Sequence, residues 1–428
     1  MGCSVWISHG KSPTLLITRV RNVMMQIFGK VYSKIDQLIF SRLARSQFHE
    51  LRSTHDLLDF YAKGVSTSLS YNFLENKKRT LNYVSSNKVG NHIAEYRYSH
   101  SSSKPHIYAS CYACMIRSLY GDLDVLSQDE KQAWVSYFDS FQSPKDGLFY
   151  DPGLTNQIYT TEDWWGARHL ALHLIFAYSA LGSRPRYDFS FLEPFYDPKY
   201  VVKWLSSRDW GERIAFTGNE VMNYGCLLQY SRDFFQNERS GVGFQAMMDW
   251  LEETICPDTG MWGELPTDNP YHISQVVQGA YHIYPLFFYD QRDIPFKEKA
   301  IDLLLSTQNM LGGFGVTLNS SACEDIDSID PLIRFSRVKN YRRDDIDLAL
   351  KRALPWVLTN MNSDGGFVFR RNEPFFYGHE EMYSGYNESN MFATWFRTLS
   401  LAYLGSDLRV DEKFNVQRIP GYEIKMRS

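Results

Sequence analysis

Four carboxylates crowd into residues 324–330, at Glu324, Asp325, Asp327 and Asp330. On a helix, Glu324 and Asp327 share a face at i,i+3, as do Asp327 and Asp330. Carboxylates this close raise one another's pKa and can leave one protonated near neutrality, which is what a general acid requires. The same oxygen-rich pattern suits Mg²⁺ or Ca²⁺, and as a plain helix start it would complement the helix dipole. A second acidic pair, Glu162-Asp163, runs into Trp164-Trp165. It joins acids to a flat stacking surface that fits a sugar ring or a carbocation equally well. His379-Glu380-Glu381 and Asn387-Glu388 stand before the last long helix, Glu220 near the start of an earlier one, and His272 at the start of another. Asp327, Asp325, Glu324, Asp330, Asp163 and Glu162 are thus the expected catalytic acids. Trp164, Trp165, His272, His379, Glu381, Asn387 and Glu388 are the expected substrate-binding residues. Cys323, Asp325 and His379 could be written as a zinc set, but zinc is not expected. No metal ligands are assigned, the cofactor is unknown, and Mg²⁺ is the ion the acidic cluster admits.

These residues share a position in the chain's rhythm. Glycine-centred turns recur about every fifty residues, at Gly147, Gly211, Gly260, Gly313 and Gly366, and such a period marks a repeat architecture. One series of segments is apolar nearly all round, as buried helices are. It covers approximately 106–121, 161–182, 219–236, 272–289, 324–338 and 387–404. A second, amphipathic series covers approximately 127–142, 197–207, 240–255, 294–308 and 344–361. Ser127 and Glu130 form a capping box at its start. The N-terminal arm is expected to supply the sixth outer helix. The expected fold is all-α, an (α/α)6 toroid or double-layered helical barrel with an N-terminal helical arm. Residues 1–104 are the arm and linker, 105–410 the toroid and 411–428 a tail; residues 65–105 read as polar and irregular. In such a ring the N-terminal ends of the inner helices gather at one mouth, and the unusual polar residues lie at those ends.

Composition narrows the function classes. The 428 residues carry a net charge of −4 with no basic stripe, which argues against a nucleic-acid partner. Six cysteines are scattered and form no dense framework, so a reduced, cytoplasmic setting is expected. Cys111-Tyr-Ala-Cys114 is read as buried helix. No apolar run is long enough to span a membrane. Basic and apolar positions mix at helical spacing over residues 13–64, so the arm is expected to pack on the toroid or to touch an anionic membrane surface. Aromatic residues reach 15%, either as a thick core or as the lining of a cavity.

Gln308-Asn-Met-Leu-Gly-Gly-Phe-Gly315 resembles the Q-x-x-x-G-G-F/W element of the terpenoid cyclase and protein prenyltransferase superfamily, and Met361-Asn-Ser-Asp-Gly-Gly-Phe367 is a looser copy. The resemblance covers roughly residues 105–405. It implies a toroid like that of squalene-hopene cyclases, with turns tying successive helix pairs together. Asp325-Ile-Asp327-Ser328 looks like the Asp-x-Asp-Asp acid motif of class II cyclases, with Ser where the last Asp belongs. The resemblance implies that Asp327 protonates an isoprenoid in the central cavity. Prenyltransferase β-subunits hold zinc through Asp-x-Cys and a later His, whereas here the order is Cys323-Glu-Asp325.

The expected function is therefore a terpene-cyclase-like, protonation-initiated enzyme acting on an isoprenoid. The alternative is a carbohydrate-active (α/α)6 enzyme, such as a glycoside hydrolase, lyase or epimerase. A second alternative is a toroid that binds without catalysis.

Overall fold

Two kinds of helix alternate along the chain, and their burial follows their composition. The computed structural model describes residues 55–265, 269–338, 340–408, 414–415 and 418–422. The basic part of the arm up to residue 54, and with it the expected membrane-touching surface, lies outside the described residues. In chain order the helices are α1 (His55–Leu69), α2 (Phe73–Ser86), α3 (Ile107–Leu119), α4 (Gln128–Asp139), the single turn α5 (Gln157–Thr161), α6 (Ala167–Ala180), α7 (Pro198–Ser206), α8 (Ile214–Phe234), α9 (Glu238–Thr254), α10 (Pro270–Tyr289), α11 (Lys297–Ser306), α12 (Ala322–Val338), α13 (Arg343–Thr359) and α14 (Met391–Leu408). Before α14 stands a small antiparallel hairpin of β1 (Phe375–Phe376) and β2 (Tyr383–Ser384).

The apolar helices α3, α6, α8, α10, α12 and α14 pack side by side in that order, and α14 returns to α3, so the inner ring closes. Backbone bonds stitch the closure: Met391 N donates to Tyr98 O at 2.9 Å, and Ser99 bridges Asn390. First-turn residues of neighbouring inner helices meet, as Tyr108 does with His169 and Ser274 with Glu324. The inner helices therefore run parallel and open at one mouth. The helices α2, α4, α7, α9, α11 and α13 alternate with them as the outer layer, and α1 packs against α13. This is the all-α (α/α)6 toroid. No described helix is long and apolar enough to cross a membrane.

The sixth outer helix is α2, inside the stretch read as polar and irregular. Its segment Glu-Asn-Lys-Lys-Arg at residues 75–79 is hydrophilic because an outer helix needs only one apolar stripe. Its buried stripe is Asn76, Thr80, Tyr83 and Val84, only half of it apolar, so the layer begins N-terminal to Pro105.

Four of the glycine turns close a short antiparallel bridge behind an outer helix: Gln142–Phe149, Cys256–Met261, Gln308–Phe314 and Met361–Phe367. The turn at Gly211 has no such bridge among the described residues. The Gln308 side-chain amide donates to Gly312 O at 2.9 Å and to Ala349 O at 2.8 Å. Gln142 makes the equivalent pair to Gly147 O and Tyr187 O. The Gln-to-Gly-Gly element is thus a clamp between a turn and the next segment, a task any ring of helical hairpins shares.

The tail is part of the core. Arg418 Nη2 donates to Tyr289 O at the C-terminal end of α10, and Asn415 N donates to Leu119 O at the C-terminal end of α3. The chain then enters the ring from the side opposite the mouth. Tyr422 reaches the axis, where its hydroxyl lies 2.9 Å from His173 Nδ1 and its ring packs on Phe176 and Trp395.

Candidate functional site at the mouth of the ring

The mouth is built from the first turns of the inner helices and the loops before them. Asp163 precedes α6, Asp327 lies in the second turn of α12, and His379 is in the β1–β2 hairpin before α14. Gly378 of that hairpin packs on the Trp165 ring, and Asn156 Nδ2 donates to its carbonyl at 3.1 Å. All three residues therefore stand at one end of the ring.

The four clustered acids have four different environments. Ser321 caps α12 and forms a capping box with Glu324: Glu324 N donates to Ser321 Oγ, and Ser321 N donates to Glu324 Oε2 at 2.7 Å. Glu324 also accepts from Ser274 Oγ on α10 and from Arg370 Nη2 at 2.9 Å. Asp325 points the other way, into the protein. Its oxygens accept from Phe314 N, Ser320 Oγ, Trp356 Nε1 and the Arg397 guanidinium. One carboxylate thereby joins a glycine turn, α12, α13 and α14. Asp330 is paired with Arg334 in the next turn, beside Tyr403.

Asp327 differs from the other three: it is fully buried, and neither carboxyl oxygen has a hydrogen-bond partner. Burial, and after it the charges of Glu324, Asp325 and Asp330, push its pKa well above the ordinary carboxylate range. Its carboxyl is thereby biased towards the neutral, protonated form, beside the Glu324–Arg370 ion pair.

The remaining expected residues divide between surface and scaffold. Asp163 is held by Arg168 at 3.0 Å, by Arg208 at 3.7 Å and by the Tyr224 hydroxyl at 2.8 Å. Arg208 also reaches Glu220 at 3.3 Å. Burial raises the Glu220 pKa, with Arg208 opposing and Asp163 adding to the rise. Glu162 caps the C-terminus of α5, and its carbonyl accepts from Arg168. Trp165 is core, stacked on Tyr108 with ring centroids 5.5 Å apart, so it offers no platform to a ligand. Trp164 is half-buried and meets Phe216 edge-on at 5.0 Å. His272 Nε2 lies 2.8 Å from Glu264 O. Asn387 sits at φ +55°, and its side chain exchanges bonds with Asn372. The Glu388 carboxylate accepts from Ser101 N, Ser101 Oγ and Gly385 N, which makes it a loop clamp. His379 Nδ1 accepts from Glu381 N within its own turn. The Glu381 carboxylate is partly exposed, 3.8 Å from Lys104 Nζ and 3.9 Å from His106 Nε2. Among the described residues no group of three or more His, Cys, Asp or Glu side chains is placed to hold a metal ion. The Mg²⁺ reading of the cluster therefore has no ligand set there, and Cys323, Asp325 and His379 do not form one for zinc.

Sequence reasoning missed the axial column. His169 Nδ1 lies 3.2 Å from the Tyr108 hydroxyl and 3.3 Å from that of Tyr377, which also meets the Tyr112 hydroxyl at 2.8 Å. His169 and His173 contact edge-on at 4.3 Å, and Tyr422 completes the column. Burial drives the His169 pKa down to about 3 and that of nearby His282 to about 4, so both are neutral. The one available signal was His169 and His173 at i,i+4 on an apolar helix. Tyr377 and Tyr422 come from distant loops and carry no periodic mark. Exposed aromatic side chains surround the mouth at Phe216, Tyr271, Phe376 and Tyr386.

The fold and mouth place the chain among (α/α)6 toroids with an acidic, aromatic-rimmed opening. No family model matches it, and no curated protein does. Among solved structures it is similar to a selenomethionine derivative of the GH76 alpha-mannanase of Bacteroides thetaiotaomicron, with 12% identity and a TM-score of 0.44 over 82% of this chain and 99% of that one. The expected kinship with terpenoid cyclases and protein prenyltransferases is corrected: no family model of that superfamily matches, and the similar solved structure is that of a mannanase. The physical reasons agree. The first Asp of the supposed acid motif, Asp325, is consumed by Arg397, Trp356, Ser320 and Phe314. The axis an isoprenoid would occupy is taken by hydrogen-bonded Tyr and His side chains. The resemblance rested on turn chemistry, which the ring architecture demands whatever the reaction.

Proposed function

We propose that the chain is a carbohydrate-active (α/α)6 enzyme that works on a saccharide at the mouth of the ring. The observation that carries this reading is Asp327, a buried carboxyl with both oxygens unpartnered and its pKa raised, beside Glu324, which is paired with Arg370. Neighbouring carboxyls in environments that separate their pKa values are the mark of acid/base assignment in glycosidic chemistry. Asp327 stores the proton in a low-dielectric setting; a side-chain rotation on substrate binding that brings its carboxyl to Glu324, held by Arg370 and Ser274, lets Glu324 pass the proton to a glycosidic or ring oxygen. The aromatic rings of Trp164, Phe216, Tyr271, Phe376 and Tyr386 supply the flat apolar faces on which pyranose rings stack.

The test is product analysis over a panel of oligosaccharides, α-mannosides included, with the wild type and Asp327→Asn. Turnover of at least one saccharide, lost in D327N, is the expected result. No turnover across the panel, or a fully active D327N, removes the reading. Stability gives an independent check on the proton. The folded protein binds it more tightly than the unfolded chain does, so Asp327 costs stability as pH rises above about 4. The cost grows by about 1.4 kcal/mol per pH unit until the folded-state pKa is passed. D327N should therefore melt with the wild type near pH 4 and above it at pH 8. A variant that melts lower at pH 8 would mean that the carboxylate is charged and paired.

A further inference from the structure

Three rim loops bring Asp151, His106 and Glu381 into one line. His106 is the residue before α3, its ring wholly buried. Its Nδ1 lies 3.3 Å from Asp151 Oδ2. Asp151 also accepts from Ile107 N at 2.9 Å and from Gly153 N at 2.8 Å. Burial works to raise the Asp151 pKa, but His106 and these amides outweigh it, and the carboxyl stays below its ordinary range. An ionised Asp151 fixes the imidazole with its proton on Nδ1, which leaves a lone pair on Nε2. That Nε2 is buried without a hydrogen-bond partner. The polar group it faces is the Glu381 carboxylate, with Oε2 at 3.9 Å. Buried polar atoms are nearly always satisfied, and catalytic contacts are often long in a protein without its ligand. The Glu381 backbone is anchored by Ser102 Oγ, which donates to its carbonyl at 3.2 Å. The side chain is therefore held between solvent and the imidazole.

We propose that Glu381, His106 and Asp151 form a proton relay, with Glu381 the base that meets the substrate and His106 the positioning residue that takes the proton onward. The proposal rests on the saccharide reading, in which Asp327 and Glu324 supply acid on the α12 side of the mouth. A water or sugar hydroxyl at Glu381 loses its proton to the carboxylate. The O–H bond breaks, its electron pair stays on the oxygen as nucleophile, and the proton moves from Glu381 to Nε2. The resulting imidazolium lies between two carboxylates, Asp151 and Glu381, and returns the proton when product leaves. The other charged group facing Glu381 is Lys104 at 3.8 Å, an exposed side chain. A mere latch would pin the hairpin to the start of α3 by the same contacts, so the test must read protons and not only stability.

The experiment is a pH titration of histidine ring nitrogens by ¹⁵N NMR on the full chain, with His106 assigned from His106→Gln. The relay expects His106 to carry its proton on Nδ1, and its titration to fall by about one unit in Glu381→Gln, because an opposing charge is lost. Lys104→Ala should leave the tautomer unchanged and, if anything, raise the titration slightly. Asp151→Asn should shift protonation from Nδ1 towards Nε2. A His106 titration that ignores E381Q, in a variant that melts with the wild type, overturns the relay whatever the substrate. On any oligosaccharide the protein turns over, H106Q should displace the acid limb of the kcat/KM profile, while E381Q lowers kcat at every pH. Coupling in the spectra with no saccharide turned over upholds the Glu381–His106–Asp151 proton linkage and removes the sugar reading, and with it Glu381 as the base towards a sugar.

Discussion

At the scale of single residues, the acid cluster illustrates how partners decide roles. Asp325 and Arg397 form a buried ion pair in which burial raises the acid's pKa and lowers the base's, each held charged by the other. Removing one partner of such a pair strands a charge in a low-dielectric interior, at a cost of about 3–5 kcal/mol. Arg397→Met should lose that much in urea unfolding. Asp163→Asn, whose arginine partners are partly exposed and whose side-chain oxygen can still accept from the Tyr224 hydroxyl, should lose less than about 1 kcal/mol. Comparable small losses for both would mean that Asp325 is not the joint the structure makes it. The cluster itself was legible in the sequence as a functional focus, but the division of labour within it was not. Four neighbouring carboxylates look alike on one strip of helix. What separates them lies elsewhere: Arg397 is 72 residues from Asp325 and Arg370 is 46 from Glu324.

At the scale of elements, four of the five glycine turns read correctly because a positive φ in a tight turn is a local requirement. Gly312 and Gly365 have φ near +90°, and a Cβ at either would meet a backbone oxygen at 2.2 Å, that of Arg352 or of Arg79. Gly211 has no positive φ, and its Cβ would find only the Asp209 side chain at 3.4 Å. Gly365→Ala should therefore cost about 1–3 kcal/mol or more, and Gly211→Ala less than about 0.5 kcal/mol. Chemical denaturation of the two variants distinguishes a structural turn from a coincidental glycine. The inner helices were also legible, because apolar composition on every face has one common meaning. The outer helix α2 was not, since Asn76 and Thr80 share its buried stripe with only Tyr83 and Val84. Polar residues on a half-buried helix erase the signal that periodicity needs.

For the molecule as a whole, the closed ring leaves an axis that must be filled, and the chain fills it with its own C-terminal segment. Ile419 and Tyr422 are buried there, and Gly421 lies against Leu172, Cys226 and Met222 of α6 and α8. Tyr422→Phe should cost about 1 kcal/mol, the value of one buried hydroxyl contact to His173. Tyr422→Ala should cost about 3–5 kcal/mol through the void it leaves. Deletion from residue 419 onward should destabilise at least as much as Tyr422→Ala. A deletion protein that melts with the wild type would show that the segment only rests on the ring. Nothing in the sequence marked this insertion, because a short aromatic segment near a terminus has no pattern to separate it from a loose end.

The seam between α3 and α14 has a consequence for biosynthesis. α3 ends at Leu119, whereas its neighbour begins only at Met391. At a ribosomal pace of about 5–20 residues per second, the flank of α3 waits on the order of half a minute for its partner. Through that interval the nascent polypeptide is an open arc with a greasy edge at each end. Its yield in a cell will follow how well that edge is shielded from other chains as well as how stable the finished barrel is.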